Sequence, residues 1–263
     1  MPKAYEEIAE ELRGRITSGA WEPGHRLPSE EELKQQYRKG GPTVRQALDV
    51  LLLEGLIDKR HGRGTFVRVP RTTVRRSNER HQWEKDRARE TQDVRRRTGA
   101  TERDTGLTVD DLVFSAEYRE ATANEDLAGA FGVPTGTPLL ERIYRTRYRR
   151  EPAPFSVSHS CLVREHVEAN PELLDEKNEP WPGGTHHQLR TVGIEVDRVV
   201  ERILGARPPR QDEAKQLGMS PGMALIVMRE TLYATDGRVV EVADVALPGD
   251  RTELTFVTRL ARW

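Results

Sequence analysis

Between Leu27 and Val67 the chain carries a series of helix and turn signals that leaves it few ways to fold: LPSEEELKQQYRKGGPTVRQALDVLLLEGLIDKRHGRGTFV. Ser29 followed three residues later by Glu32 has the capping-box spacing, in which each side chain satisfies a backbone N–H at a helix start. A short helix is therefore predicted from Glu30 to about Tyr37. Gly40 and Gly41 end it. Pro42 has no N–H to lose and suits the first position of the next helix. That helix carries Val44, Ala47, Leu48, Leu51 and Leu52 on one side and stops at Gly55. Leu56–Arg60 and Thr65–Val69 then read as two strands about the turn His61-Gly62-Arg63-Gly64. Upstream, Ile8, Leu12 and Ile16 form the apolar stripe of a helix over Tyr5–Ser18, with Gly19 as its stop. Helices and a glycine-rich hairpin in this order predict a winged helix-turn-helix, a device for setting one helix in a DNA major groove.

The polar side of the predicted third helix offers Thr43, Arg45, Gln46 and Asp49. Arginine can donate two hydrogen bonds to guanine O6 and N7, and glutamine can pair with adenine, so Arg45 and Gln46 are candidate base readers. Arg38 and Lys39 stand where phosphate contacts are expected. In the hairpin, Gly62 and Gly64 allow close approach to a groove, while His61 and Arg63 supply donors or positive charge. Ser29, Glu30 and Gly41, at the starts of the second and third helices, complete the candidate DNA-facing set.

Charge supports a division of labour. The whole chain has 42 Lys+Arg and 43 Asp+Glu. Residues 1–70 hold 12 basic and 11 acidic side chains, residues 71–99 hold 10 and 5, and residues 100–263 hold 20 and 27. A basic front and an acidic back suit a protein that meets phosphate at one end. No apolar run is long enough for a membrane span and no signal-peptide pattern opens the chain, so a cytoplasmic protein is expected. Cys161 is the only cysteine, which excludes an internal disulfide.

On these residues the sequence resembles the GntR family of bacterial transcription regulators, whose signature runs approximately LPSE-x-x-L, TVR-x-AL, L-x-x-EGLI and G-x-GTFV. Two departures stand out. Gly41 replaces an arginine that commonly contacts DNA in the family, and Glu31 falls where some members carry a basic residue.

Past Val69 the polar, Arg-rich residues 70–80 read as a linker. Beyond it strands and helices alternate. Extended segments are predicted at Leu112–Tyr118, Leu139–Tyr148, Phe155–Leu162, Ile194–Leu204, Ala224–Tyr233 and Val239–Leu247. Helices are predicted after Asn124, over Thr185–Val192 and over Gln211–Leu217. Ala128–Leu139 (AGAFGVPTGTPL) is echoed 86 residues later by Ala214–Leu225 (AKQLGMSPGMAL), which suggests two similar halves in one antiparallel sheet with helices packed on it. The fold class is thus α+β, with domains at 1–69 and 81–263.

The segments ARPP-x-x-x-EA-x-x-LG-x-x-PG and GRVVEVADVALP resemble the UTRA effector-binding domain of the HutC branch, which has a chorismate-lyase-like fold. That resemblance implies an effector pocket made by an Arg-x-Arg strand, a loop–helix segment and a late glutamate. Arg145 and Arg147 are matched to the first, Gly184 and His186 to the second and Glu241 to the third, with Ser158 on a neighbouring strand. Residues two apart on a strand share a face, so Arg145 and Arg147 are expected to clamp an anionic effector. Gly184 and His186 replace hydroxyl residues of many members, which argues against a sugar phosphate.

His159, His186 and His187 lack metal-ligand spacing, so neither metal nor cofactor is expected. Trp181 is read as a packing anchor. The leading expectation is a homodimeric repressor that binds a pseudo-palindromic operator in double-stranded DNA and is released by a small-molecule effector. The alternatives are a regulator without a working pocket and a lyase-like enzyme acting on a small anion. Against the enzyme, Cys161 has no activating partner and no nucleophile–base pair is evident, so no catalytic residue is proposed.

Overall fold

The protein is represented by a computed structural model that describes residues 3–261. The chain gathers into two compact units. One runs up to Arg71 and includes Pro208–Lys215 and Met219–Ala224; the other takes Thr72–Arg207, Gln216–Gly218 and the chain from Leu225 onward.

In the first unit, α1 (Ala4–Thr17), α2 (Glu30–Tyr37) and α3 (Gly41–Leu53) precede a two-stranded antiparallel hairpin of β1 (Ile57–Arg60) and β2 (Gly64–Val67). The capping box forms as its spacing predicts. The Ser29 side chain accepts from the Glu32 N–H at 3.3 Å, and the Ser29 N–H donates to the Glu32 carboxylate at 2.7 Å. Helix α3 begins at Gly41, one residue before the expected Pro42. Ile8 and Leu12 of α1, Leu33 of α2, and Val44, Leu48 and Leu51 of α3 bury one shared core with Ile57 and Val67. Truncating a central member such as Leu48 to alanine costs about 2–5 kcal/mol in cores of this kind.

The second unit begins with β3 (Val74–Ser77) and three short helices, α4 (Arg80–Arg87), α5 (Gln92–Arg97) and α6 (Ala100–Thr105). Then come β4 (Leu112–Thr122), α7 (Glu125–Phe131), β5 (Pro138–Tyr148), β6 (Ser156–Val163), α8 (Arg164–Val167), α9 (Gly184–Thr191) and β7 (Val196–Arg207). Between β7 and β8 the chain forms α10 (Gln211–Leu217), which up to Lys215 belongs to the first unit; β8 (Leu225–Ala234), β9 (Val239–Pro248) and β10 (Thr252–Thr255) complete the second. Six strands make one antiparallel sheet in the order β4-β5-β6-β9-β8-β7, while β3 and β10 pair in parallel as a separate ribbon.

That order exposes a duplication. β4-α7-β5-β6 and β7-α10-β8-β9 have the same plan, and they meet at the β6–β9 seam. Gly132 and Gly136 have φ of 69° and 88°, and Gly218 and Gly222, 86 residues on, have 57° and 84°. Each glycine thus takes a left-handed turn that a side chain would strain, at the same point in each half.

The stretch 70–80 differs from its reading as a linker. Val74 and Arg76 are buried in β3, which pairs with β10 from the far end of the chain. A polar, Arg-rich sequence hid this strand, because Arg76 is satisfied by carboxylates in the interior. No helix among the described residues is long and apolar enough to cross a membrane.

Candidate nucleic-acid interface and ligand cavity

Helix α3 turns Val44, Ala47, Leu48 and Leu51 inward, which leaves Arg45, Gln46 and Asp49 exposed and Thr43 half-buried beside them. The Arg45 side chain is 62% exposed and pairs with Glu30, itself 45% exposed, at 2.9 Å. An exposed pair of this sort is worth about 1 kcal/mol or less, so a phosphate or base edge can replace Glu30 at little cost. Arg38, with φ of 50°, closes α2 in the left-handed region and is exposed beside Lys39. A Cβ added at Gly41 would lie 3.5 Å from the Arg45 side chain and 3.8 Å from that of Lys34, ordinary contacts that leave room for a side chain.

The hairpin pairs Arg60 with Gly64, and Gly62 and Gly64 have φ of 68° and 115°. His61 and Arg63 are exposed on the turn, while Arg60 stacks on the Phe66 ring at 4.6 Å. All twelve candidate DNA-facing residues lie in the first unit. Ser29 is occupied in holding the start of α2, and its hydroxyl also donates to Glu32 at 2.7 Å.

In the second unit a cavity of about 870 Å³ lies over one face of the sheet, with Phe114, Tyr144, Thr146, Ser156, Ser158 and Val245 on its floor. Side chains alternate along a strand, so the presence of Tyr144 and Thr146 there sends Arg145 and Arg147 to the opposite face. The expected anion clamp is therefore not at the cavity. Arg145 reaches Glu117 at 3.6 Å, and Arg147 donates to the carbonyls of Arg149 and Glu151, both at 3.2 Å.

The arginine on the cavity side of β5 is Arg142. Its side chain is 2% exposed and donates to Glu241 at 2.6 Å, Ser160 at 2.8 Å and Gln188 of α9 at 2.7 Å. Gln188 in turn donates to Glu179 at 2.8 Å, which also accepts from the hydroxyls of Tyr118 at 2.6 Å and Tyr144 at 2.8 Å. Burial pushes the Tyr144 phenol well above its ordinary range and that of Tyr118 up to about 12, so both remain donors to Glu179. This network fixes α9 to the sheet.

The other candidate effector residues separate. Ser158 and Gly184 line the large cavity. Glu241 is buried in the Arg142 network. His186 faces a smaller cavity of about 350 Å³ beside His81 and Glu201, where burial holds its pKa below the usual histidine value. β5 carries arginines at both parities, and alternation alone could not say which parity faced the cavity. Arg142 and Tyr144 were missed for that reason, while Glu179, in a loop, and Gln188, on α9, reach the network through long-range contacts that no local pattern marks.

The three histidines weighed as metal ligands have different surroundings. His159 is 3.2 Å from Glu141, His187 accepts from the Trp181 indole at 2.8 Å, and His186 faces the smaller cavity. Trp181 lies against the apolar core under α9 and also borders the large cavity. A different trio, His81, Glu201 and Glu230, brings its ligand atoms within 4.8 Å of one another. The Arg76 guanidinium already sits 3.0 Å from Glu201 and in contact with Glu230, so the donor set is neutralised by a fixed cation and fits a metal poorly. At Cys161, burial with Glu141 and Asp244 nearby raises the thiol to about 11, which makes it a poor nucleophile.

The chain matches the gntR family of bacterial regulatory proteins over residues 4–67 and the UTRA domain over residues 115–253. It belongs to the GntR family, in its HutC subfamily. This GntR-family chain is 29% identical over 261 residues to the HTH-type transcriptional repressor NagR of Bacillus subtilis, covering 98% of this chain and 95% of that one. It is 40% identical over 67 residues to the histidine utilization repressor of Pseudomonas aeruginosa, which covers 26% of this chain and 27% of the relative. The crystal structure of a GntR-family transcriptional regulator, 24% identical, covers 98% of each chain with a TM-score of 0.62 and shares the fold. The protein is a DNA-binding regulator of transcription.

Proposed function

We propose that this regulator is a homodimeric cytoplasmic repressor, not an enzyme, that binds a pseudo-palindromic operator and leaves it when a small molecule fills the cavity over the sheet. The observation that carries the reading is the outer side of α3, where Arg45 and Gln46 stand exposed while the opposite side is locked into the core. Arg45, Gln46 and Thr43 read base edges. Arg38 and Lys39, with the backbone N–H groups at the starts of α2 and α3 around Ser29, Glu30 and Gly41, set the register on the phosphates. His61–Gly64 enters the neighbouring groove. A two-fold dimer imposes its symmetry on the operator. Two relatives with repressor names support the sign of control. The cavity, with Ser158 on its floor, Gly184 on its wall and the Arg142–Glu241 pair beneath it, supports ligand control. Its volume lies within the range of ligand pockets, about 300–1,000 Å³.

Selection of bound duplexes from a random pool, with and without cell extract, tests this reading. The expected product is an inverted repeat whose recovery falls when extract is present. An unstructured pool would overturn the DNA-binding reading, and an inverted repeat indifferent to extract would overturn ligand control.

A further inference from the structure

The charges around the large cavity indicate which kind of molecule it takes, an inference that rests on its being the effector site. Five guanidinium groups and five carboxylates border it, so the lining is neutral as a whole. The buried arginines are also individually engaged. Arg76 holds Glu201 at 3.0 Å and touches Glu230, and Arg80 holds Asp104 and Glu84. Arg87 donates to the Arg95 carbonyl at 2.9 Å and to that of Thr98, and Arg95 donates to the Pro182 carbonyl at 3.0 Å. Arg142, beneath the floor, is held by Glu241 at 2.6 Å. A phosphate or carboxylate entering here would have to draw a guanidinium off its partner and leave a buried carboxylate or carbonyl uncompensated. Arg96, exposed at the rim, is the only bordering arginine without an ion pair or hydrogen bond among the described residues.

The floor offers something else. The Phe114 and Tyr144 rings lie with centroids 5.8 Å apart, and Phe155, Val245 and Leu247 extend the apolar surface. Beside the rings, Thr146 pairs across the strands with Ser156 and Tyr144 with Ser158. The hydroxyls of Thr146, Ser156 and Ser158 make no side-chain hydrogen bond among the described residues, so each can donate to or accept from a guest.

We propose that the cavity selects an uncharged molecule with a flat ring that carries hydroxyl or carbonyl groups, and discriminates against phosphorylated or carboxylate anions. The ring lies on Phe114 and Tyr144 while the floor hydroxyls take its polar edge.

A matched pair of probes tests the assignment: 4-methylumbelliferone, kept uncharged in mildly acidic buffer, and its phosphate monoester. Titration of the full-length protein, read by probe fluorescence and by shift in melting temperature, is expected to favour the uncharged ring by about tenfold or more, with inorganic phosphate causing no shift. Ser158→Trp, which fills the floor, is expected to abolish the binding. Thr146→Leu is expected to weaken it while the far-ultraviolet circular dichroism is kept, which covers the case in which the larger substitution misfolds. Tighter binding of the phosphate ester, a saturable shift with inorganic phosphate, or silence from both ring probes would overturn the assignment. In those cases the effector reading is judged separately, by operator release with cell extract.

Discussion

Two arginine–glutamate pairs, one in each unit, use the same chemistry to opposite ends. Arg45–Glu30 lies in the open at 2.9 Å, with side chains 62% and 45% exposed; Arg142–Glu241 is closed in at 2.6 Å, with side chains 2% and 7% exposed. Water screens the first, so its partners are exchangeable and the arginine is free to change hands when a nucleic acid arrives. The second has no solvent to fall back on, and its guanidinium must keep the hydrogen bonds to Glu241, Ser160 and Gln188 that pin α9. Burial, more than residue type, separates a recognition arginine from a structural one.

The sharpest way to break that contrast is to remove the carboxylate of the buried pair and compare the variant with the parent protein. Glu241→Ala should cost about 3–5 kcal/mol of stability, because it strands a buried cation; chemical denaturation of the two proteins side by side measures it. A loss below about 1 kcal/mol would place Arg142 in contact with solvent and remove the distinction. Replacing both residues with apolar ones of similar size should recover much of the loss.

Acid provides the next largest effect. Burial alone would raise the Glu84 carboxyl, but Arg80, His186, His81 and Arg76 overcome it and hold the group at about 2. The folded value lies below the ordinary one, so this contribution is complete above about pH 4.5 and is lost as the pH falls towards 2, on the order of 3 kcal/mol. His186, lowered by burial, acts in the same direction at higher pH, since the unfolded chain takes up its proton first. Glu84→Gln should therefore flatten the acid limb of a stability–pH curve. An unchanged limb would show that the interior charges are no better coupled than surface ones.

The smallest effect on stability, and the one that matters for DNA, is expected at the open pair. Arg45→Ala should weaken binding to the selected operator by about 1–3 kcal/mol. It should leave the unfolding free energy within about 0.5 kcal/mol of the parent. A footprint and affinity untouched by the substitution would remove Arg45 from the base-reading set.

The two units also differ in how much of them could be read from the sequence. In the first, the signals are local. A serine three residues before a glutamate, a proline at a helix start and glycines at two turns each fix their own neighbourhood, and the elements fall within a residue or two of their predicted ends. In the second, strand alternation located β4 to β9, and the 86-residue echo anticipated the paired halves. What failed was long-range. Nothing near Arg76 reveals that its carboxylates lie 125 and 154 residues away, and nothing in the run ERIYRTRYRR says which parity faces a cavity walled by α4 to α6 and α9. Arg145 and Arg147 had the right spacing for an anion clamp and the wrong side of the sheet.

The seam between the duplicated halves has its own consequence. Tyr144, Thr146, Ser156 and Ser158 come from one half of the sheet, and Glu230, Val245 and Leu247 from the other, yet all border the same cavity. A lone half, folded by itself, would present only part of that lining. Recognition in this architecture is thus a joint property of two copies fused into one polypeptide, and a guest resting there bridges the join between them.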